Sequence, residues 1–444
     1  MTMDLSGQRV IVVGLGKSGA AAARLCRDRG ASVLGTDSAP LERLSADVTS
    51  LGIELVAGGH DAVRFTQADL VVVSPGVAAF PALELAERAG VEVIGELELA
   101  CRFITAPVLA IGGTNGKSTT TTLVGELLKA AGSRVFVGGN LGEPAASAAG
   151  KEWDQVVLEV SSFQLERAPL FRPRVSVLLN VTEDHLDRYA SFELYAEAKG
   201  NAFVNQEPGD VAVIPFGDDE CEKQARRGRG DRVTFGTAGD YAVDDGSVFE
   251  ARTGERFELG PAKLFGTHNH SNAAAAIATV RALDVGVTSV TEGLRRFGPL
   301  PHRMALVGEL SGVRFYDDSK GTNVGASVTA LLGLAEPRGV LIAGGRDKHG
   351  SYEPLVAALR ERGRAVVVMG EAADRIHAAI GGAVPTEHAT DMNDAVRRAF
   401  RLAERGDAVL LSPACSSFDM FKSYADRGER FVEAFERLRS EGSR

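Results

Sequence analysis

A lysine and a serine that directly follow a glycine-rich loop are the residues whose types and spacing point most clearly to chemistry. Residues 108–122 read VLAIGGTNGKSTTTT: an apolar run, a glycine loop, Lys117-Ser118 and a helix-like segment. Glycines let backbone N–H groups turn inward, and the first turn of a helix adds N–H donors and the positive end of its dipole. This pattern is typical of a loop that binds nucleotide phosphates, where the lysine reaches the outer phosphates and the serine hydroxyl holds Mg²⁺.

The loop departs from the usual phosphate-binding pattern by one residue. That pattern has four residues between its glycines, whereas only three separate Gly112 from Gly116. A glycine-rich turn without a ligand is the alternative interpretation, but it gives Lys117 and Ser118 no purpose at the start of a helix. We therefore predict a nucleotide phosphate site, and its residues are Gly113, Thr114, Asn115, Gly116, Lys117, Ser118 and Thr119.

Two polar side chains follow the next predicted strands. Glu159 comes directly after Val156-Val157-Leu158, and a carboxylate on a strand beside a phosphate loop is the usual partner of Mg²⁺. His185 belongs to a polar cluster, residues 180–185, that follows another apolar run. A surface acid and a structural histidine are the alternatives. Because both residues follow strands beside the predicted phosphate site, we expect both to be functional.

A second glycine motif lies near the start of the chain. Gly14-Leu15-Gly16-Lys17-Ser18-Gly19 follows one apolar strand, Asp37 follows the next, and Ser74 ends a third. A glycine turn with an acid at this distance is typical of a site for a dinucleotide or another nucleotide diphosphate. Tight packing of helix on strand is the alternative role for the glycines. The sequence alone leaves these interpretations open.

The elements that must position these residues form an α/β protein. Apolar strands alternate with helical patterns, and the rhythm predicts parallel sheets. We predict a Rossmann-like domain at residues 1–104, a central domain like the P-loop ATPases at 105–299, and a Rossmann-like domain at 300–444. From residue 209 short runs broken by Gly and Asp predict a small antiparallel sheet in the central domain. Pro107 and the stretch Gly298-Pro299-Leu300-Pro301 mark the two linkers.

Composition excludes several functional classes. The formal net charge is −10, which argues against a protein that binds nucleic acid by neutralising phosphates. The four cysteines are far apart and form no CxxC pair, which fits a reducing compartment. No apolar signal core and no run of about 18 apolar residues occur. We therefore expect a cytoplasmic protein without a membrane partner.

Two glycine loops in separate domains favour one ATP and a second, nucleotide-like substrate. In the third domain several predicted strands are followed by polar loops, as expected of a further ligand site. ATP-driven joining fits: phosphoryl transfer to an acceptor, then displacement by a nucleophile. A nicotinamide oxidoreductase would leave Lys117, Ser118 and the third domain unexplained. A nucleotide-binding regulatory protein without chemistry would leave Glu159 and His185 unexplained.

Eight motifs, in order, resemble those of the Mur ligases of bacterial peptidoglycan synthesis, above all the members that add D-glutamate. The motifs are GTNGKST, LEVSSFQL, NVTEDHLDRY, the HN of GTHNHSN, PHR, DDSKGTN, GGRDK and SPACSSFDMF. The resemblance covers essentially the whole chain, and the family's TNGK loop accounts for the short spacing. It implies that ATP phosphorylates the carboxylate of UDP-N-acetylmuramoyl-L-alanine. The amine of D-glutamate then displaces phosphate, and we expect a monomer that uses two Mg²⁺ ions.

The resemblance also implies a role for each matching position. Catalytic roles fall on Lys117, Glu159, His185 and Lys199, and the metal ligands are Ser118, Glu159, His185 and Lys199. Lys199 matches a lysine that is carbamylated in this family, although the sequence alone favours an ordinary exposed helix lysine. Further ATP contacts are Asn269, Asn272, Arg303 and Asp318, and helix caps are the alternative for the two asparagines.

The two remaining substrates are matched in the same way. Contacts to the UDP substrate are Gly14, Leu15, Gly16, Lys17, Ser18, Gly19, Asp37, Ser38, Ser74, Asn140, Ser161 and Gln164. The D-glutamate pocket is formed by Lys320, Thr322, Lys348, Ser417 and Phe418. Phe418 stands where relatives carry smaller aliphatic residues, and Tyr424 where a Phe is common. No motif like the DNPR of diaminopimelate-adding relatives is present.

Overall fold

The computed structural model describes residues 3–262, 264, 266–298, 300–348 and 350–441, and over these the chain is an α/β protein with three sheets. Pro299 of the predicted second linker lies outside the described residues. None of the described helices is long and apolar enough to cross a membrane. The chain forms two compact units, residues 1–181, 196–258 and 271–296, and residues 182–195, 259–270 and 297–444.

The first sheet is parallel. Its strands are β1 (Arg9–Val13), β2 (Ser32–Asp37), β3 (Glu54–Ala57), β4 (Leu70–Val73) and β5 (Glu92–Gly95), and its helices are α1 (Lys17–Asp28), α2 (Ala46–Thr49), α3 (Pro81–Arg88) and α4 (Glu96–Cys101). The strand order is β3-β2-β1-β4-β5, as in doubly wound folds. Val10 and Val12 pack into one buried cluster, Ile11 and Val13 into another. Both faces of β1 are therefore covered, which explains its unbroken apolar run.

The second sheet contains the predicted phosphate loop. Its strands are β6 (Val108–Gly112), β7 (Val135–Gly139), β8 (Gln155–Glu159), β9 (Val175–Leu178), β10 (Val211–Pro215), β11 (Asp231–Gly236), β12 (Tyr241–Asp244), β13 (Ser247–Glu250) and β14 (Glu255–Glu258). The helices of this region are α5 (Lys117–Ala130), α6 (Ser162–Leu165), α7 (Phe192–Gly200), α8 (Asp219–Ala225), α9 (Thr267–Arg281) and α10 (Val287–Arg296). The order β14-β13-β12-β11-β10-β9-β6-β8-β7 places β6 between β9 and β8.

The predicted small antiparallel sheet is only partly correct. Strands β12, β13 and β14 pair antiparallel, as expected. The expectation is wrong for β10 and β11, which pair in parallel with each other and, through β9, continue the sheet of the phosphate loop. Their short, glycine-bounded runs looked like hairpin strands. The crossover α8 instead returns the chain to the same end of the sheet, which makes the pairing parallel.

The third sheet follows residue 300. Its strands are β15 (Ala305–Leu310), β16 (Val313–Asp317), β17 (Gly339–Gly344), β18 (Gly363–Met369), β19 (Thr386–His388) and β20 (Ala408–Leu411), in the order β15-β16-β20-β17-β18-β19. Its helices are α11 (Val324–Leu332), α12 (Glu353–Arg362), α13 (Ala373–Ile380), α14 (Met392–Leu402) and α15 (Tyr424–Glu441). All pairings are parallel except β15 with β16. The loops after β16, β17 and β20 therefore leave one edge of the sheet.

Short 3₁₀ helices complete the described elements, at Leu41–Arg43, Phe65–Gln67, Ala145–Ala148 and Gly260–Ala262. The α/β class and the three sheet-containing domains agree with the sequence analysis. The boundaries at residues 104/105 and 299/300 stay predictions. Residues 182–195, which the prediction assigned to the central domain, pack with the unit that contains residues 297–444.

Candidate functional site

The predicted phosphate loop connects β6 to α5. Gly113 and Gly116 have φ values of +136° and +84°, which side chains with a Cβ rarely adopt, and α5 begins at Lys117. Asn180 fastens the loop from the end of the neighbouring strand. It accepts the Thr114 N–H at its main-chain carbonyl (3.0 Å) and the Asn115 N–H at its side-chain oxygen (2.9 Å). The first-turn N–H groups of α5, which have no acceptor within the helix, are then the donors aimed at an anion.

Two lysine ammonium groups converge on one carbonyl of this loop. Lys117 Nζ donates to Gly113 O at 2.9 Å and to Thr114 O at 2.7 Å. Lys199 Nζ, from α7, donates to the same Gly113 oxygen at 2.9 Å. Lys199 is only 4% exposed, so its interpretation as an ordinary exposed lysine is wrong. Two cations at the mouth of a phosphate loop are suited to stabilise negative charge that is held there.

Glu159 lies on the strand beside the loop, as predicted. Strand β8 pairs with β6, Glu159 lies opposite Ile111, and the carboxylate is 1% exposed. Asn140 Nδ2 donates to Glu159 Oε1 at 2.7 Å, and the Asn140 main-chain N–H donates to the Glu159 carbonyl. The structure therefore places Asn140, predicted as a substrate contact, where it orients the acid. The Ser118 side chain at the start of α5 is also buried.

Asn272 packs directly against the phosphate loop. It is buried near the start of α9, and a Cβ added to Gly116 would lie 2.2 Å from Asn272 Oδ1. This contact explains in steric terms why residue 116 is a glycine. Asn269, the other predicted adenine contact, lies one turn earlier, in the part of α9 that belongs to the second compact unit.

The main chain of the first glycine motif is hydrogen-bonded to the side chains of Ser74 and Asp37. Ser74 Oγ donates to Gly14 O at 2.6 Å, and a Cβ on Gly19 would lie 1.8 Å from the same oxygen. Asp37 accepts the Leu15 N–H at 2.6 Å through one carboxylate oxygen. The packing role considered for the glycines is therefore present at Gly19. Asp37, the last residue of β2, therefore also holds the glycine loop in place.

Other predicted UDP-substrate residues have structural contacts. Ser161 and Gln164 form a capping box at α6, with the Ser161 N–H donating to Gln164 Oε1 at 2.9 Å. Lys17 is exposed and donates to Gly142 O at 2.8 Å. Ser18, in the first turn of α1, is half-buried and directly precedes the buried Gly19. These contacts are compatible with substrate binding, but they also give each residue a structural role that does not require a substrate.

The second compact unit contains the predicted amino-acid residues. Lys348 Nζ lies 2.9 Å from Asp184 Oδ1, and Asn323 Nδ2 donates to Asp184 Oδ2 at 3.1 Å. Asp184 also accepts the main-chain N–H of His185, which has a φ of +57°. Its carboxylate therefore joins the predicted metal ligand His185 to the predicted glutamate-binding Lys348. The sequence analysis included this position in the polar cluster of residues 180–185 but gave a role only to His185.

The loop after β16 places Lys320 and Asp318. Lys320 Nζ lies 3.9 Å from the centre of the Tyr424 ring, at cation–π distance. Asp318 accepts from Ser412 Oγ at 2.7 Å, and burial raises the pKa of this carboxyl to about 7, while Ser412 and the charge of Arg303 act in the opposite direction. The predicted pair Arg303 and Asp318 is thus electrostatically coupled.

The remaining predicted amino-acid residues differ in exposure. Ser417 is 2% exposed, whereas the neighbouring Phe418 is 69% exposed and lines a surface cavity of about 600 Å³ with α14 and α15. Thr322 donates its main-chain N–H to Lys320 O at 2.9 Å. Among the described residues no group of three or more His, Cys, Asp or Glu side chains is arranged to hold a metal ion.

Comparison with known proteins covers nearly the whole chain. Three family models match it: "Mur ligase MurD-like, N-terminal domain" at residues 8–95, "Mur ligase middle domain" at 111–280 and "Mur ligase, glutamate ligase domain" at 302–415. Proteins named UDP-N-acetylmuramoylalanine--D-glutamate ligase are similar over their full length. The one from Geobacter metallireducens is 45% identical over 98% of this chain and 99% of its own. That from Anaeromyxobacter dehalogenans is 46% identical over 99% of each.

Solved structures of more distant proteins share the fold. The UDP-N-acetylmuramate-alanine ligase of Thermotoga maritima superimposes with a TM-score of 0.63 at 21% identity, over 97% of this chain and all of that chain. The MurF ligase of the same organism, solved in complex with ADP, gives a TM-score of 0.62 at 20% identity, over 98% of this chain and 96% of that one.

Proposed function

The chain belongs to the Mur ligase family, and we propose that it joins D-glutamate to UDP-N-acetylmuramoyl-L-alanine at the expense of ATP. Full-length relatives at 43–46% identity carry the name of this one activity. ATP would phosphorylate the alanyl carboxylate. The amine of D-glutamate would then attack the acyl carbon, form the amide and release phosphate. We further propose that the enzyme acts in the cytoplasm, as its four widely spaced cysteines suggest, and that it is a monomer.

The convergence of Lys117 and Lys199 on the Gly113 carbonyl is the observation that carries this proposal. Both ammonium groups lie 2.9 Å from that oxygen. A transferring phosphoryl group develops charge on its equatorial oxygens, and positioned cations stabilise that charge. We expect Lys117 to leave the carbonyls for the ATP phosphates when nucleotide binds. The α5 N–H groups would hold the phosphates in line with the acceptor.

The residues beside the loop fit a magnesium ion. Ser118 supplies a hydroxyl and Glu159 a carboxylate, and both side chains are nearly fully buried. Mg²⁺ prefers such oxygen ligands and usually takes only one or two from the protein, the rest coming from water and phosphates. Asn140 would keep Glu159 Oε1 in its orientation. Bound there, Mg²⁺ would neutralise charge on the ATP phosphates.

We propose that Lys199 is carbamylated and contributes to a second magnesium site, and that His185 is also a metal ligand. Its buried position beside the phosphate loop supports a role in catalysis. A carbamate would turn this cation into an anion that can bind metal. Lys117 would then be the only one of the two lysines that stabilises the phosphoryl charge directly, and Lys199 would act through the metal ion that it helps to hold. If Lys199→Ala kept full activity without any carboxylate additive, the carbamate proposal would be wrong.

The two other substrates would occupy the first glycine motif and the third sheet. We propose that Gly14 to Gly19 and Asp37 face the UDP end. Lys320 and Lys348 would pair with the two carboxylates of D-glutamate. In the resting protein their ammonium groups contact the Tyr424 ring and Asp184. Substrate binding would exchange those contacts for the incoming carboxylates, with Thr322 and Ser417 beside them.

Phosphate release tests the proposal directly. The purified chain is mixed with Mg·ATP, UDP-N-acetylmuramoyl-L-alanine and one amino acid at a time: D-glutamate, L-glutamate, L-alanine or diaminopimelate. We expect release only with D-glutamate. Lys117→Met should abolish release, whereas Lys129→Met in the exposed last turn of the same helix should leave it unchanged.

Three results would count against this assignment. Stimulation by another amino acid would make the substrate assignment wrong while leaving the ligase chemistry in place. Nucleotide binding without turnover under every condition would favour the regulatory protein that the sequence analysis considered. If NAD but not UDP stabilised the protein in a thermal-shift titration, the result would favour a nicotinamide oxidoreductase.

A further inference from the structure

Arg427 is a buried cation at the start of α15 that hydrogen-bonds to main-chain carbonyls. It is 2% exposed. Its Nη2 donates to Ser319 O at 2.9 Å, and both terminal nitrogens donate to Cys415 O at 3.1 Å. Nη1 also lies 3.4 Å from Ser416 O and 3.5 Å from Gly344 O. Among the described residues no carboxylate lies within ion-pair distance of this guanidinium.

These carbonyls belong to the three loops that hold the predicted amino-acid residues. Ser319 directly precedes Lys320 in the loop after β16, and Gly344 is the last residue of β17, directly before the loop that leads to Lys348. Cys415 and Ser416 directly precede Ser417 in the loop after β20. One side chain therefore ties together the main chains of all three loops.

The second and third loops also bond to each other beside the guanidinium. The Arg346 N–H donates to Ser416 O at 2.9 Å, and the Ser416 N–H donates to Arg346 O at 3.2 Å. A Cβ added to Gly345 would lie 2.2 Å from Ser416 O and 3.2 Å from Arg427 Nη1. The main chain at Gly345 is thus packed closely against Arg427 as well as against the neighbouring loop.

A buried charge at this position destabilises the fold, which suggests that Arg427 has a functional role. Burial lowers the pKa of Arg427 to about 10, although the charges of Asp419, Asp317 and Asp318 act in the opposite direction. A buried cation without a bonded carboxylate destabilises a fold unless all its donors are satisfied. Here Nε has no partner among the described residues. A neutral apolar side chain of similar size would avoid the buried charge but would remove these donors from Ser319 O and Cys415 O.

We propose that Arg427 is a positioning residue for the amino-acid substrate, holding the loops of Lys320, Lys348 and Ser417 in the arrangement that binds two carboxylates. This inference rests on the proposed function and adds to it a residue that does not contact the substrate. The guanidinium also adds positive charge beneath a site for a dianion, where the low dielectric of the interior strengthens the attraction. Its fork of donors suits these four carbonyl groups better than a single ammonium would.

The test compares Arg427→Lys, Arg427→Met and Arg427→Ala with the wild type in the phosphate-release assay. We expect Arg427→Met to raise the KM for D-glutamate at least about tenfold, while the KM values for ATP and the UDP substrate change less than about twofold. Arg427→Lys keeps the charge but has fewer donors, so its KM should be intermediate. Guanidinium ion added at low millimolar concentration should lower the KM of Arg427→Ala and leave that of Arg427→Met unchanged.

Arg430→Met is the matched control, because Arg430 lies on the same helix but is exposed and paired with Glu433. Its KM values should equal those of the wild type. The inference would be overturned if Arg427→Lys or Arg427→Met kept the wild-type KM for D-glutamate. Equal losses for all three substrates, without rescue by guanidinium, would show a purely structural residue and overturn it as well.

Failure of the proposed function is visible separately, because it appears in the wild type. A wild-type enzyme that responds to a different amino acid would contradict the D-glutamate assignment. The KM for that amino acid then replaces the KM for D-glutamate in the same comparison. Should Arg427→Met fail to fold, Arg427→Lys and the guanidinium rescue of Arg427→Ala still decide between the two outcomes.

Discussion

Replacing the buried acid Glu96 by glutamine should make the free energy of unfolding of the first compact unit less dependent on pH. Glu96 is the first residue of α4 and is 0% exposed. Its Oε1 accepts the Ala146 N–H at 2.7 Å, and its Oε2 has no hydrogen-bond partner among the described residues. Burial raises the pKa of Glu96 to about 7, and the Ala146 hydrogen bond only partly opposes this.

The sign of the effect follows from proton linkage. In the unfolded chain the carboxyl ionises near its ordinary value of 4.5, whereas in the folded chain it stays protonated up to about pH 7. Between these values the folded state binds the extra proton, so stability falls as pH rises and levels off above pH 7. At about 1.4 kcal/mol per pH unit, the difference corresponds to about 3 kcal/mol lost by pH 8.

Urea unfolding at pH 5 and pH 8, followed by tryptophan fluorescence, measures this loss. Trp153 is the chain's single tryptophan, and its indole donates to Ala148 O, in the same 3₁₀ helix that Glu96 contacts through Ala146. Glu96→Gln keeps the acceptor oxygen but cannot ionise. We expect the variant to lose about 3 kcal/mol less than the wild type between the two pH values.

Glu98→Gln is the matched control, two residues further along the same helix. Glu98 is equally buried, but its carboxylate pairs with Arg102 at 2.9 Å and accepts the Leu170 N–H. Removing its charge should destabilise the protein, because Arg102 loses a buried partner. Parallel pH profiles for the wild type and Glu96→Gln would refute the reasoning. Some pH dependence should remain in either case, since burial also raises the pKa of Asp318.

Three further predictions concern the proposed ligand sites. Gly116→Ala should weaken ATP binding at least about tenfold by calorimetry, because the left-handed backbone and the contact with Asn272 both exclude a Cβ. Asn140→Ala should lower kcat about tenfold and raise the Mg²⁺ concentration needed for half-maximal activity, as Glu159 loses the donor that orients it; an unchanged Mg²⁺ titration would contradict this. Lys348→Met should raise the KM for D-glutamate about a hundredfold and leave the Kd of ATP unchanged, a difference that steady-state kinetics and calorimetry together can check.

Local patterns predicted the parts of the site that are contiguous in sequence. The strand, the glycines and the helix start around Lys117 are one uninterrupted stretch, so the order of these elements can be predicted from local sequence alone. Glu159 was predictable for a similar reason, because the end of a buried parallel strand is visible as the end of an apolar run. The short spacing between Gly112 and Gly116 changed none of this, since α5 still begins at Lys117.

Contacts that depend on distant pairing were not predictable. Nothing in the short runs of β10 and β11 shows that they join the large sheet in parallel, because that depends on the crossover between them. The burial of Lys199 depends on which face of α7 meets the loop, and a nine-residue helix of low amphipathicity does not show it. Ser161 and Gln164 were predicted as substrate contacts, yet S-x-x-Q is also the sequence of a capping box. The structure shows that box without excluding the substrate role.

Asp184 shows why a prediction made residue by residue misses the contacts between site residues that are distant in sequence. One of its carboxylate oxygens accepts both the His185 N–H and the Lys348 ammonium, each at 2.9 Å, and the other accepts Asn323. His185 and Lys348 are 163 residues apart and were assigned to different ligands, metal and amino acid. Since a carboxylate of the substrate would compete with Asp184 for Lys348, binding of the amino acid would also change the charge beside His185. We therefore predict that Asp184 couples His185 to Lys348, within one compact unit of the chain.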